Sequence, residues 1–316
     1  MNPSTTRRRG RGGFTIIELL IAMVVGVVVF MSATGILLAT FRAQAGSDMR
    51  EEVARNARFL GEALQRDLSE AGVELRSTST FGSVDVRNDT ISVLSVPFDP
   101  DEAPVYRIAP PAGSPNPLPA GGTCGSACIA VVSDSAGKPV RLQVGDVAKL
   151  QVNNVRHLIV VTDVAAAGTD TFRISFLNTD SLLHRPAAFA GGLLLDRAGT
   201  SIQRLTMAAY WRDASGRLMR ATRFNPNGTL QGESLFEDVT AFQVSVIFLD
   251  GDELTSVSGT DADQTNNYDQ IASVRVQGTL ESSTTNPHVN SGSPAQRRFS
   301  WRFSPRNLRY ERARPS

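Results

Sequence analysis

Phe14–Phe41 reads FTIIELLIAMVVGVVVFMSATGILLATF. It is 28 residues long and carries one charge, Glu18. At about 1.5 Å per residue, a helix of this length exceeds the roughly 30 Å hydrocarbon core of a bilayer. A core helix of a globular domain would be shorter and would keep a polar face, whereas this run is apolar on every side. Arg7, Arg8, Arg9 and Arg11 precede it, with no acid among the first thirteen residues. Positive charge beside a span stays cytoplasmic, so everything after Phe41 is exported.

Two simpler readings compete. A cleaved secretory signal would account for the basic start, and Ala43-Gln44-Ala45 supplies an A-x-A site. Its apolar core, however, would run for about 7–15 residues, roughly half of what stands here. Arg7-Arg8-Arg9 also lacks the apolar residues that would directly follow a twin-arginine signal. A plain signal anchor explains the span and its orientation but not Glu18. At mid-membrane an acidic side chain costs about 2.5–3.5 kcal/mol, less near the interface, and such a group normally has a partner. A cut after Gly13 would supply one. Phe14 would then bear a free α-amine one helical turn from Glu18, within reach of the carboxylate of its own chain or of a neighbouring subunit. A negative charge in the first turn also suits the helix dipole.

A basic leader, Gly13, Phe14 and a Glu at the fifth position of the cut chain, in Gly13-Phe14-Thr15-Ile16-Ile17-Glu18, resemble the type IV prepilin processing motif. The resemblance implies that a prepilin peptidase cuts after Gly13 and methylates the amine of Phe14, and that Glu18 serves filament assembly. Beyond Phe41 the pattern stays helical. Apolar residues at Ala45, Met49, Val53, Ala57, Leu60, Leu64, Leu68, Ala71 and Leu75 recur in steps of three or four. The opposite face carries charges such as Glu62 and Arg66, an i,i+4 pair in the favourable order. Gly72 weakens or ends the helix. A coiled-coil stalk is the other reading of this periodicity. Asp67-Leu68-Ser69-Glu70-Ala71-Gly72 is similar to a segment of PilW-type minor pilins and the related J-type pseudopilins of type II secretion, with Ser69 where those have arginine. Ala208-Ala209-Tyr210-Trp211, Leu235–Val244, Ile271–Val276 and Pro305-Arg306-Asn307-Leu308 follow in the order found in PilW-like chains.

The remainder reads as strands. Thr90–Phe98, Ile129–Ser133, Val140–Val152, Val155–Val164, Thr171–Leu177, Ile202–Arg212, Arg217–Phe224, Phe242–Leu249, Ile271–Glu281 and Arg298–Ser304 are short and rich in Val, Ile, Thr and aromatics. Asp213-Ala214-Ser215-Gly216 reads as a hairpin turn, and the Pro- and Gly-rich Ala109–Gly125 as a loop. The expected fold is α+β and pilin-like, a long N-terminal helix packed on a mostly antiparallel β head. Its parts are a leader (1–13), a transmembrane helix (14–41), an amphipathic helix (42–75) and a periplasmic head (76–316) with room for two sheets or lobes.

The net charge is +1, and removing the four leader arginines leaves −3, so the mature chain is no general nucleic-acid binder. Cys124 and Cys128 are the only cysteines; in an oxidising compartment they point to a small disulfide loop. Histidines 157, 184 and 288 are too scattered to complete a zinc site with them. Asp250-Gly251-Asp252 begins like a calcium loop but fails at Leu254, which leaves Asp250 and Asp252 as calcium candidates beside the reading of a solvated loop. In the C-terminal stretch Phe299, Trp301 and Phe303 alternate with Arg298, Ser300 and Arg302; a half-buried strand explains this without a ligand, so the alternative of DNA contact is not the expected one. No nucleophile elbow, P-loop or dinucleotide fingerprint occurs, so neither an enzyme nor a cofactor is expected. The resemblance implies a minor pilin made at the inner membrane, cytoplasmic at its N-terminus, that later enters the pilus. Its implied partners are prepilin peptidase, major and minor pilins, the inner-membrane assembly platform and the lipid bilayer. A J-like pseudopilin and a membrane-anchored periplasmic binding protein are the alternatives.

Overall fold

The structure, a computed structural model, describes residues 15–108, 123–124, 129–133, 137–152, 155–166, 171–178, 193–194, 199–257 and 265–313. Helix α1 (Ile16–Glu70) precedes strands β1 (Val84–Arg87), β2 (Thr90–Ser95), β3 (Tyr106–Ile108), β4 (Thr123–Cys124), β5 (Ile129–Ser133), β6 (Val147–Val152), β7 (Val155–Ala166) and β8 (Thr171–Asn178). Then come β9 (Leu193–Leu194), β10 (Thr200–Arg212), β11 (Leu218–Phe224), β12 (Leu230–Phe236), β13 (Val239–Phe248), β14 (Glu253–Leu254), β15 (Ile271–Glu281), β16 (Gln296–Phe303) and a short helix, α2 (Arg306–Ala313). The fold is α+β, and every strand pairing is antiparallel. The chain forms two compact units, Met1–Glu51 with Thr284–Ala295, and Glu52–Ser283 with Gln296–Ser316.

In the first unit the apolar half of α1 is exposed along its length, with no buried residue in its most apolar window. In the second unit the rest of α1 buries one stripe, Val53, Ala57, Leu60, Leu64 and Leu68, each 2% exposed or less. These are positions that the three-and-four spacing picks out. The charged face stays in solvent, but the expected Glu62–Arg66 pair does not form. Arg66 turns to its neighbour Asp67, with Nε 3.3 Å from Oδ1. The helix stops at Glu70, short of the expected Leu75. Gly72 adopts φ +78°, a conformation that suits glycine, and its amide donates to the carbonyl of Leu94 at 2.9 Å.

The strands make two principal sheets. In the larger, β10 serves two groups at once. Its first half pairs with β6 on one side and β3 on the other, and its second half pairs with β2 and β11. The pairings β10–β3–β5–β8–β7–β6–β10 therefore close into a six-strand circuit. Ala148, Leu150, Ile159, Val161, Ile174, Phe176 and Ile202 fill its interior. The alternate residues Val147, Leu158, Val160 and Leu205 join a second cluster with Leu75, Phe81, Leu94 and Met207. Strands buried on both faces lose the period-two signal, which is why Leu158-Ile159-Val160-Val161 reads as one continuous apolar run.

The second sheet runs β14-β13-β15-β16. One face carries Phe242, Val244, Val246, Val274, Val276 and Phe299, all buried. The other face carries Gln243, Gln277, Ser245, Arg275 and Arg302. On it Gln277 donates to Gln243 at 3.2 Å, and Arg275 pairs with Glu253 at 3.2 Å. This is the alternation expected of a sheet covered on one side.

Several expected boundaries move. Val140–Asp146 is not strand; it forms a turn in which the carboxylate of Asp146 accepts the amide of Gln143 at 2.9 Å. Gly145 (φ +88°) lies so close to the Phe224 carbonyl that a β carbon would sit 2.5 Å from its oxygen. Strands β1, β3, β4, β9, β12 and β14 and helix α2 were not expected, and β4 lies within the stretch Ala109–Gly125 that reads as a loop. The first two are short, and β12 is a half-exposed edge of polar sequence. The Asp213–Gly216 turn forms as read, with Gly216 at φ +83° and the Asp213 carboxylate accepting the amides of Ser215 and Arg217 at 2.9 Å.

Candidate functional site

The start of α1 is where the sequence places its chemistry. Gly13 and Phe14, the expected cleavage and methylation site, lie outside the described residues. Glu18 is described, and it closes a capping box. The amide of Thr15 donates to Glu18 Oε2 at 2.9 Å, the Thr15 hydroxyl donates to the same oxygen at 3.1 Å, and the amide of Glu18 donates back to Thr15 Oγ1 at 3.3 Å. The Thr-x-x-Glu spacing was legible, but Thr15 was not singled out from sequence. The other hydroxyls of the apolar run are also satisfied within the helix. Ser32 donates to the Val28 carbonyl at 2.8 Å, Thr34 to Phe30 at 2.8 Å and Thr40 to Ile36 at 2.9 Å. Every polar side chain between Thr15 and Phe41 thus has a partner one turn away, as a segment surrounded by hydrocarbon requires.

Residues 8–34 match the family model of the prokaryotic N-terminal methylation motif. The N-terminus is type IV prepilin-like. The match ends inside the apolar run, and Gly13, Phe14 and Glu18 all fall within it. No curated protein and no solved structure matches the chain. A prepilin-like N-terminus implies processing by prepilin peptidase and assembly with other pilins, and the apolar helix is long enough to anchor the chain in a membrane.

The end of the helix is the second locus, and here residues far apart in sequence meet. Asp67, 7% exposed, accepts the Tyr210 hydroxyl at 2.5 Å and two bonds from Arg220, from Nε at 3.1 Å and Nη2 at 2.9 Å. Arg220 Nε also donates to the Tyr210 oxygen at 3.0 Å. Burial, with the Asp67 carboxylate beside it, pushes the Tyr210 phenol above its ordinary range, so it stays a donor. This clamp ties α1 to β10 and β11. One turn on, a β carbon at Gly72 would lie 3.0 Å from Ser83 Oγ and 3.2 Å from Leu308 Cδ2. Asn307, at the start of α2, donates to the Ser69 carbonyl at 2.7 Å and so satisfies a carbonyl at the helix end. Asp67, Gly72, Tyr210 and Leu308 all came from the segments read as PilW-like, and the fold brings them to one place.

A cleft of about 320 Å³ opens beside the clamp, lined by Asp67, Asp146, Arg204, Arg220 and Arg223 among others. Its cations are matched to acids. Arg204 holds Glu102 through several bonds, two of them from Nε at 2.9 Å, and Arg223 lies 3.5 Å from Asp146. Tyr106 donates to the same Glu102, and burial together with that carboxylate pushes its phenol upward. Burial likewise raises the Asp146 carboxyl.

The remaining candidates separate. Cys128 and its environment lie outside the described residues; Cys124 is described only as backbone in β4, paired with β9. Asp250 accepts the amide of Asp252 at 2.9 Å inside a turn, and Glu253 is engaged by Arg275 and Ser245. Among the described residues no group of three or more acids, histidines or cysteines is placed to hold a metal. In β16 the Phe299 and Trp301 rings stack at 4.3 Å, and Trp301 packs at Gly61 of α1, 3.4 Å from where a β carbon would stand. Arg302 donates to Ser273 at 2.8 Å on the polar face.

Proposed function

We propose that this chain is a structural minor pilin of the PilW kind in a type IV pilus and not an enzyme. Prepilin peptidase cuts after Gly13 and methylates Phe14. The product waits in the inner membrane through α1, with a periplasmic head, and enters the filament through that helix. The observation that carries this reading is a prepilin-like motif running into an apolar half-helix whose polar side chains, Thr15 to Thr40, are all satisfied within it. Glu18 is then the group that docks against the amine of a neighbouring subunit, exchanging its bonds with Thr15 for an ion pair. The ordered cluster at the helix end, built from PilW-like segments, supports the finer assignment, because that cluster makes spine and head one body at Asp67.

Deletion of the gene tests the role. Loss of surface pili that is restored by the wild-type chain but not by Glu18→Ala supports the proposal. Loss of protein secretion with pili intact would transfer the chain to the J-like pseudopilins. A strain normal in both would leave a tethered binding protein and remove the filament role.

A further inference from the structure

Arginines that line the cleft each have a carboxylate, as Arg204 has Glu102, Arg220 has Asp67 and the more exposed Arg223 has Asp146. One group of cations breaks this pattern. Lys149 of β6 and Arg156 of β7 are half-buried on the outer side of the six-strand circuit. The register sets Lys149 opposite Leu158 and Gln151 opposite Arg156, so the two cations are diagonal neighbours, about 7–8 Å apart at the backbone. Arg156 Nη1 donates to the carbonyl of Arg76 at 2.5 Å, which holds the guanidinium near a third cation. Among the described residues none of the three makes an ion pair, and the Lys149 ammonium has no hydrogen-bond acceptor. Burial and the charge of Arg156 pull Lys149 down to about 8, and burial with Arg76 pulls Arg156 down too.

Like charges held side by side at an apolar wall of Leu158, Val147 and Leu205 are unfavourable unless an anion joins them. Gln151 flanks Lys149 on its own strand and Gln203 faces it from β10, which adds neutral donors to the ledge. We propose that Lys149, Arg156 and Arg76 form a binding site for an oxyanion of the phosphate class, either free phosphate or the phosphate of an anionic lipid headgroup. Two guanidiniums and an ammonium, linked pairwise through Arg156, suit the several oxygens of such a group.

The chain offers a clean assay, because Lys138 and Lys149 are its only lysines. Lys138 is held by the carbonyls of Pro100 and Glu102 and serves as the internal control. The full chain, labelled with carbon-13 at lysine, is placed in phosphatidylcholine nanodiscs and titrated with inorganic phosphate at constant ionic strength. The expected result is a saturable shift of the Lys149 ε-carbon, a rise in its titration midpoint above about 8 and a still Lys138. Arg156→Gln should weaken the phosphate response about tenfold, with its thermal midpoint measured alongside to show that the fold persists. In a second arm, discs of phosphatidylglycerol without added phosphate replace the first set. A Lys149 shift there assigns the anion to a lipid headgroup, and a shift with inorganic phosphate alone assigns it to a soluble phosphate. Silence at Lys149 in both arms, or equal shifts at Lys138, overturns the site.

Discussion

Asp67→Ala tests whether the helix end is clamped or merely packed. The substitution removes the acceptor for Tyr210 and for two bonds from Arg220, and it leaves both donors in place. The Asp67 side chain is 7% exposed and that of Arg220 is 26%, so the pair is largely withdrawn from water. Breaking a buried pair from one side costs about 3–5 kcal/mol. Partial exposure lets water recover some of this at Arg220, which brings the expected loss to about 2–4 kcal/mol. In a domain of this size, 1 kcal/mol moves the thermal midpoint by about 2–4 °C, so the midpoint should fall by about 4–16 °C. Circular dichroism of the full chain in detergent reads this directly. Tyr210→Phe, which removes the bond to Asp67 and the oxygen that accepts from Arg220 Nε, should cost about 1.5–3 kcal/mol. The two changes share a partner, so the double variant should lose less than their sum, with a coupling of about 0.5–3 kcal/mol. An Asp67→Ala midpoint within about 2 °C of wild type, with additive effects in the cycle, would refute the clamp.

Other outcomes follow from the same geometry. Gly72→Ala should cost about 1–3 kcal/mol in chemical denaturation, since it joins an unfavourable φ to contacts at 3.0 and 3.2 Å. Leu64→Ala, at a fully buried position, should cost about 2–5 kcal/mol by the same assay. Lys149 titrates lower when folded than when unfolded, so the unfolded chain binds more protons between about 8 and its ordinary value. The penalty from Lys149 is therefore full below pH 8 and lifts as pH rises. Wild type should gain stability relative to Lys149→Met between about pH 8 and 9.5, measured by urea unfolding without phosphate; Arg156 is the charge that acts on the amine. Thr15→Val should leave the chain in the membrane fraction but fray the first turn of α1, seen as faster amide exchange at Glu18, whose amide loses its Thr15 Oγ1 acceptor.

Much of the helix was legible because its two halves obey two different solvents. An unbroken apolar run and a three-and-four stripe are both local patterns, and the stripe from Val53 to Leu68 is buried where it was expected. Strands with strong β composition, Ile129–Ser133 and Ile271–Glu281, kept their bounds. Leu230–Phe236 was missed because an edge strand with one partner need not be apolar, and Val140–Asp146 was overextended because a turn held by Asp146 and Gly145 interrupts an apolar-looking stretch. The closed circuit was not legible at all. It depends on β10 splitting its partners at about Leu205, a tertiary choice with no local signature. The clamp was hidden for the same reason, since Asp67 lies 143 residues from Tyr210 and 153 from Arg220. Asp67 could be noticed only as part of a resembling segment, and its charge at a helix position next to Leu68 gave no hint of burial.

A pilin must carry a processed N-terminus, which the N-terminal mass of the protein recovered from native membranes reads out. The predicted result is a chain that begins at Phe14 with one methyl group on its amine. A chain beginning at Gly46 would mean cleavage by a secretory signal peptidase and release of the head. An intact leader in cells with an active prepilin peptidase would leave a plain membrane anchor, and either of these results would contradict the pilin assignment.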